Sequence, residues 1–453
     1  MGAVTDIVSA LARRATDESH APAMAWGVVG DGVLMASGAV GDGVDPDTPF
    51  RIASMTKSFT AAAVLGLRDD GLLSLERPVA DYAPELATVV GPDDSAPVTL
   101  RHLLSMSAGL ATDDPWADRH LDVTTDVMNE IYAAGVHFAV RTGDAFEYSN
   151  LGFAMIGRVV RSVTGRSLRD HVDERLLRPL GMTNTTWDEP AVSSARPHRV
   201  VDGVARAEGY EPLADGEIAP MGGLWSTVSD LAAWVSWLDE ANRGHDSRTA
   251  ALRASSRREM QTMHTYVGRS TIDTVAAPSG YGFGLLLRDD PEVGLVVGHS
   301  GGLPGYGSNM RWKKGSGDGV IGLAIVTYAP MSTFTHRALT EMHRAGHVSA
   351  ASFEPTALLR GRARALVGLL GDWHDDAARE LFADNVEPDE SFARRSSEAR
   401  RRLGGEDVQL VEVRAVNRTS GSVVVRCGSR VVEIEFMLSP ADGSIQDYTW
   451  KES

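Results

Sequence analysis

Ser54-Met55-Thr56-Lys57 sets a hydroxyl and an amine three residues apart. On a helix that spacing puts both on one face. A serine hydroxyl is a poor nucleophile until a neighbouring base takes its proton. A lysine at its ordinary pKa of about 10.4 does not do this at neutral pH, but burial beneath a pocket lowers that value. Near a helix start the hydroxyl also meets free N–H groups and the positive end of the macrodipole, which favour developing negative charge. Of 44 basic residues only Lys57, Lys313, Lys314 and Lys451 are lysine. Where arginine is the default cation, a lysine suggests a need to lose a proton. The plain alternative is a helix start with an exposed lysine, since Ser-x-x-Lys is common by chance.

Two further groups of residues suit the same chemistry. Tyr148-Ser149-Asn150 lies between Gly143-Asp144 and a helix. A tyrosine there can relay a proton to a leaving group, and Asn150 can hold a substrate carbonyl. The plain alternatives are a buried tyrosine and an asparagine N-cap. His299-Ser300-Gly301-Gly302 follows an apolar strand and precedes Leu303-Pro304-Gly305. Glycines at a strand end let backbone approach a ligand, and the N–H of Gly302 can pair with that of Ser54 as an oxyanion hole. Here the alternative is a glycine-rich turn with a solvent-facing histidine.

Ser-x-x-Lys, Tyr-x-Asn and a late basic-residue-x-Gly, in that order, form the motif set of serine β-lactamases and penicillin-binding proteins. The chain resembles that superfamily over about residues 5–347. The tyrosine makes it most similar to the class C β-lactamase branch, with its esterases, D-aminopeptidases and transacylases. Leu103–Leu110, Leu180-Gly181-Met182 and Gly222–Ser226 fit too. The resemblance implies that Ser54 forms an acyl-enzyme and Lys57 is its base or electrostatic partner. It implies that Tyr148 relays protons and Asn150 positions substrate. His299 takes the place of a lysine, Gly301 belongs to the same strand motif, and Gly302 joins Ser54 in holding the oxyanion. A neutral histidine there makes a weaker anion site than lysine. That points away from β-lactam hydrolysis and carboxypeptidase action, and towards esterases, aminopeptidases or acyl-transfer enzymes.

The expected function is therefore hydrolysis of an ester or amide through a Ser54 acyl-enzyme, on a small-molecule or peptide substrate. The alternatives are a transacylase or peptide cyclase that passes the acyl group to an amine, and a sensor acylated without turnover. Gly298-His299-Ser300-Gly301-Gly302 also matches G-x-S-x-G. An α/β-hydrolase elbow at Ser300 would run straight into a helix, which Leu303-Pro304-Gly305 does not start. His343 and His347 stand four apart without the glutamate or third ligand of a zinc site. No metal and no cofactor are expected.

Elements that would position these residues follow from periodicity. A helix is predicted over 3–16, and a hairpin over 23–39 around Gly30-Asp31-Gly32. A buried helix is predicted over 54–70. The segment from about 78 to 265 reads as mostly helical, and 186–220 as a lid or pocket wall. Strands are expected at 294–298, 306–313 and 320–328, with a helix over 332–346. Strands at both ends with helices between them predict an α/β (α+β) fold. Its antiparallel sheet is flanked by helices and carries an all-helical lobe; the resemblance implies that this is the β-lactamase/transpeptidase-like arrangement. This catalytic domain is assigned residues 1–350. A C-terminal α+β domain, 351–453, has helices at 356–371, 375–383 and 389–403 and strands at 408–416, 421–427, 430–438 and 444–450. It is similar to cystatin-like or NTF2-like folds.

Composition sets the outer limits. The 453 residues are 43% hydrophobic and 23% charged, ordinary for a globular chain. The net charge of −17 argues against a nucleic-acid partner, and the acidic first domain favours a neutral or cationic substrate. Cys427, the single cysteine, forms no internal disulfide and reads as a core residue. Arg400-Arg401-Arg402 reads as a solvated helix end. No apolar run reaches the roughly 18 residues of a membrane span, and the start carries no Sec-type signal pattern. The expectation is a cytoplasmic protein with no membrane partner, its oligomeric state open.

Overall fold

Gly30-Asp31-Gly32-Val33 closes a two-residue hairpin between β1 (Met24–Gly30) and β2 (Val33–Val40). Asp31 and Gly32 both have positive φ, 50° and 77°, the conformation that matches the twist of the flanking strands. The computed structural model describes residues 2–190, 194–208, 215–244, 251–349, 354–403 and 408–451. Its chain divides into two compact units, 1–350 and 351–453.

In the first unit six later strands form a meander: β3 (Thr265–Ile272), β4 (Val275–Tyr281), β5 (Leu286–Asp290), β6 (Gly294–Leu303), β7 (Tyr306–Lys313) and β8 (Gly319–Ala324). β8 pairs with β1, Val320 opposite Val28, so both ends of the unit meet in one sheet. The order is β2-β1-β8-β7-β6-β5-β4-β3, antiparallel throughout.

β3, β4 and β5 lie where no element was predicted, between the helical segment ending near 265 and the strand expected at 294. Pro278 sits inside β4, and Arg288 and Asp290 are buried inside β5. Proline and buried charge both mask the apolar pattern of a strand. β6 runs on through His299 to Leu303, past the strand end expected near Gly298. β8 stops at Ala324, short of the expected 328.

Helices cover both faces. α1 (Gly2–Ser19) and α5 (Met331–Arg344) bring Val4, Val8 and Ala12 together with Phe334, Ala338 and Met342 over one face. On the other side α2 (Thr56–Asp69) has every residue from Thr56 to Leu67 buried. Around it pack α3 (Asn150–Thr164), Leu168–Val172, α4 (Val228–Glu240) and Ala254–Met260. The stretch 186–220 includes a small hairpin, His198–Val201 with Val204–Ala207; residues 191–193 and 209–214 of it lie outside the described chain.

The second unit has α6 (Ala357–Gly371), α7 (Asp375–Leu381), a short turn of helix at Val386–Asp389, and α8 (Phe392–Leu403). A four-stranded antiparallel meander follows: β9 (Val408–Ala415), β10 (Ser420–Cys427), β11 (Arg430–Leu438) and β12 (Ile445–Trp450). Its core joins Leu359, Leu366 and Leu370 to Val423, Val425 and Ile434, with Cys427 buried among them.

Candidate active site

Phe50-Arg51 forms a short strand against Trp225-Ser226. The chain then turns sharply. Ala53 has φ +49°, strained for a residue with a Cβ, and begins a single 3₁₀ turn, Ala53–Met55, ahead of α2. Ser54 therefore sits in this turn, just before the α-helix that was expected to start at it. The strain is over-determined by its surroundings. Ile52 N–H donates to the Leu224 carbonyl at 3.0 Å, and the Ile52 carbonyl accepts from Ser308 Oγ at 2.8 Å. Leu224 N–H donates to Thr56 Oγ1 at 3.2 Å. Gly301 presses on the same turn: a Cβ there would lie 2.2 Å from the Ile52 carbonyl and 2.3 Å from Ser308 Oγ. Only glycine fits.

Lys57, in the first turn of α2, is fully buried. Its Nζ donates to Ser54 Oγ at 2.9 Å, Asn150 Oδ1 at 2.7 Å and the Met221 carbonyl at 3.0 Å. Its three N–H groups thus meet three acceptors. Burial brings the ammonium pKa down to about 8, against the pull of Asp114, Asp118 and Asp113. Nζ lies 4.9 Å from the centre of the Tyr148 ring. Tyr148 hydrogen-bonds to Ser54, and burial, with Tyr281 nearby, keeps its phenol protonated well above the usual value.

α3 is capped by Ser149, whose hydroxyl accepts from Gly152 N–H; Asn150 is the first helical residue, not the N-cap. The Asp113 carboxylate takes the next free amides, Asn150 N–H and Leu151 N–H, both at 2.7 Å. Asn150 Nδ2 donates to Asp114 at 2.6 Å, so its Oδ1 faces Lys57. A backbone cap and a side-chain clamp, both from the Asp113-Asp114 pair, fix the asparagine.

His299 is only 3% exposed. Nδ1–H donates to the Ser300 carbonyl at 2.6 Å, which leaves Nε2 to accept from Tyr281 Oη at 2.9 Å. Burial and the Lys57 charge push its pKa down to about 3, so the ring is neutral. β5 pairs with β6 only as far as Gly298. His299, Gly301 and Gly302 lie beyond that pairing and border a cleft of about 320 Å³ together with Ser54 and Tyr148. Asp114, Asp118 and Tyr328 also line it, with the Tyr328 ring packed against Gly302. Asp118, almost fully buried, accepts from Tyr328 Oη at 2.7 Å, and burial raises its carboxyl to about 7.

The chain brings Ser54, Lys57, Tyr148, Asn150, His299, Gly301 and Gly302 together from three separate stretches. Sequence reasoning missed the acidic group Asp113, Asp114 and Asp118, the Tyr281 partner of His299, and the Met221 carbonyl. The Asp-Asp-Pro start of a helical turn was a legible capping signal, but nothing tied it to Asn150. Ser300 lies in extended strand, its Oγ accepting from Asn309 Nδ2 at 2.8 Å, and no helix follows it directly. No elbow forms there. Among the described residues, no group of three or more His, Cys, Asp or Glu is arranged to hold a metal, and no helix is long and apolar enough to cross a membrane.

Comparison with known proteins gives the family and the fold. The model of the beta-lactamase family matches residues 8–338. The chain is 26% identical over 279 residues to penicillin-binding protein 4* of Bacillus subtilis, covering 58% of this chain and 57% of that protein. It is 27% identical over 240 residues to protein flp of Staphylococcus aureus, covering 49% and 46%. The match thus spans about half the length of these curated relatives. Among solved structures, an octameric penicillin-binding protein homologue from Pyrococcus abyssi aligns over 98% of both chains at 19% identity, TM-score 0.59. A D-stereospecific amidohydrolase from Streptomyces sp. aligns over 75% of this chain and 99% of its own at 23% identity, TM-score 0.58.

Proposed function

The chain belongs to the beta-lactamase family, and on that premise we propose that it is a serine hydrolase that cleaves an ester or amide through an acyl-enzyme on Ser54. The observation that carries this reading is the contact between Ser54 Oγ and a fully buried Lys57 whose pKa lies near 8. Lys57 as free amine takes the Ser54 proton while Oγ bonds to the substrate carbonyl carbon. The neutral Tyr148 phenol gives its proton to the leaving oxygen or nitrogen as that bond breaks, and Lys57 returns a proton to Tyr148. Water then enters by the reverse path and releases the acid. Ser54 N–H and Gly302 N–H hold the oxyanion, and preorganised donors of this kind are worth about 3–4 kcal/mol each. Asn150 fixes Lys57; with Oδ1 on Lys57 and Nδ2 on Asp114, its amide serves the lysine and not the substrate carbonyl that the sequence suggested. His299, neutral, shapes the pocket and supplies no charge.

A second reading, transfer of the acyl group to an amine, draws on Asp114 and Asp118 in the cleft wall. Carboxylates beside the nucleophile attract a cationic acceptor, and Asp118, near 7, suits accepting its proton. We assign the chemistry to 1–350, and read 351–453 as an accessory α+β domain of cystatin-like or NTF2-like type.

The test is turnover of p-nitrophenyl esters with and without an added primary amine, in wild type and Ser54→Ala. Multiple turnovers, lost in Ser54→Ala, support hydrolysis. Amide product with amine present supports transfer. A single stoichiometric burst rejects both in favour of an acylated sensor.

A further inference from the structure

Behind the catalytic strand lies a second cavity of about 200 Å³. Cross-strand pairing fixes its face: Arg288 stands opposite Val296 and Arg311 opposite Gly298, with Asn309 opposite Ser300. Val296, Gly298 and Ser300 alternate with Val297 and His299, so both arginines point away from the face that carries His299. Ser332, in the first turn of α5, closes the cavity. Leu286, His299, Ser300 and Ser332 line both this cavity and the Ser54 cleft, which makes the two spaces neighbours.

The cavity carries unbalanced charge. Arg311 is 7% exposed, and its one hydrogen bond among the described residues is a long one, Nε to Thr335 Oγ1 at 3.4 Å. Its two terminal nitrogens have no partner there. Arg288 spends its terminal nitrogens on the Ser270 and Val275 carbonyls, at 2.6 Å each, and on Ser270 Oγ at 3.0 Å. The one carboxylate near them among the described residues, Asp290, stands 3.7 Å from Arg288 Nε and gives Oδ1 to the amides of Glu292 and Val293. Among the described residues its Oδ2 and Arg288 Nε have no hydrogen-bond partner. His336, 3.5 Å from Asp290, has its pKa lowered mainly by burial and adds no positive charge at neutral pH. Two buried guanidinium groups thus face one carboxylate. Burial with this deficit brings Arg311 down to about 10, chiefly through desolvation and then through Arg288. A buried cation without a partner is costly, and a guanidinium's preferred partner is a carboxylate or similar anion.

We propose that this cavity is a binding site for a small monovalent anion, of carboxylate or halide type, held by Arg311 with Arg288 in support. The site stands whether or not Ser54 is the nucleophile. Its occupant is either a free ion or a carboxylate on a substrate reaching past Ser300 and Ser332.

The test is ³⁵Cl NMR linewidth of the full chain, titrated with formate. Saturable broadening that formate displaces, lost in Arg311→Gln and retained in Arg311→Lys, supports a free ion. The substrate arm compares an ester bearing a carboxylate with its neutral methyl ester. A fall of about tenfold or more in kcat/KM for the first alone in Arg311→Gln, with kcat held, supports a substrate carboxylate. Should Arg311→Gln not fold, Arg311→Lys and the wild-type displacement decide the first arm. No displaceable broadening together with no discrimination, or displaceable broadening unchanged in folded Arg311→Gln, overturns the proposal.

Discussion

Lys57 should set the pH at which the protein acylates. With its pKa near 8, about a tenth of the amine is free base at pH 7 and about a hundredth at pH 6. If the free amine takes the Ser54 proton, kcat/KM for an activated ester falls about tenfold per pH unit below 8 and levels off above it. Two neighbours supply no limb in this range: His299 is neutral down to about pH 3, and Tyr148 stays protonated well above its usual value. Asp118, near 7, does titrate there, so Asp118→Asn is the needed control. Losing that carboxylate removes charge that favours the ammonium, and the acid limb moves to lower pH. Lys57→Arg keeps its proton throughout, and acylation should drop by about 10²–10⁴ with no limb. The assay is stopped-flow release of p-nitrophenol over about pH 5.5 to 9.5. A limb centred at or below about 6.5 in wild type, or one that survives in Lys57→Arg, would refute the reasoning.

His299 is buried neutral, so the unfolded chain takes up its proton first as pH falls. That stability is present above about 6.5 and declines towards pH 3, by about 2–3 kcal/mol at pH 4.5; His299→Gln should remove this decline, read as urea midpoints at pH 7 and 4.5. Gly301→Ala drives a Cβ into the Ile52 carbonyl; it should cost about 1–3 kcal/mol and cut acylation at least tenfold, read by denaturant unfolding and burst rate. Asp113→Ala strips two amides at the start of α3; a loss of about 0.5–2 kcal/mol is expected in thermal unfolding, with no loss at all counting against the capping role.

The helices and the closing hairpin were legible because their signals are local. α2 is a run of small and apolar residues ended by Asp70-Gly71, and the β1–β2 turn needs two residues of positive φ, which Asp31-Gly32 supply. β3 to β5 were not legible. Pro278, Arg288 and Asp290 break the alternation, and what makes buried charge tolerable there is tertiary: carbonyls from the β3–β4 hairpin around Arg288. The site shows the same division. Ser54, Lys57 and Tyr148 were readable from type, spacing and order. Asp113, Asp114 and Asp118 were not, because their link to Lys57 runs through Asn150 and through space, not along one helix. The partner of His299, Tyr281, lies in a strand the pattern concealed.

The central claim is that Ser54, and not Ser300, carries the acyl group. Intact-mass measurement after reaction with a fluorophosphonate tests it most directly. One covalent adduct is expected in wild type and in Ser300→Ala, and none in Ser54→Ala. An adduct that persists in Ser54→Ala and disappears in Ser300→Ala would contradict it.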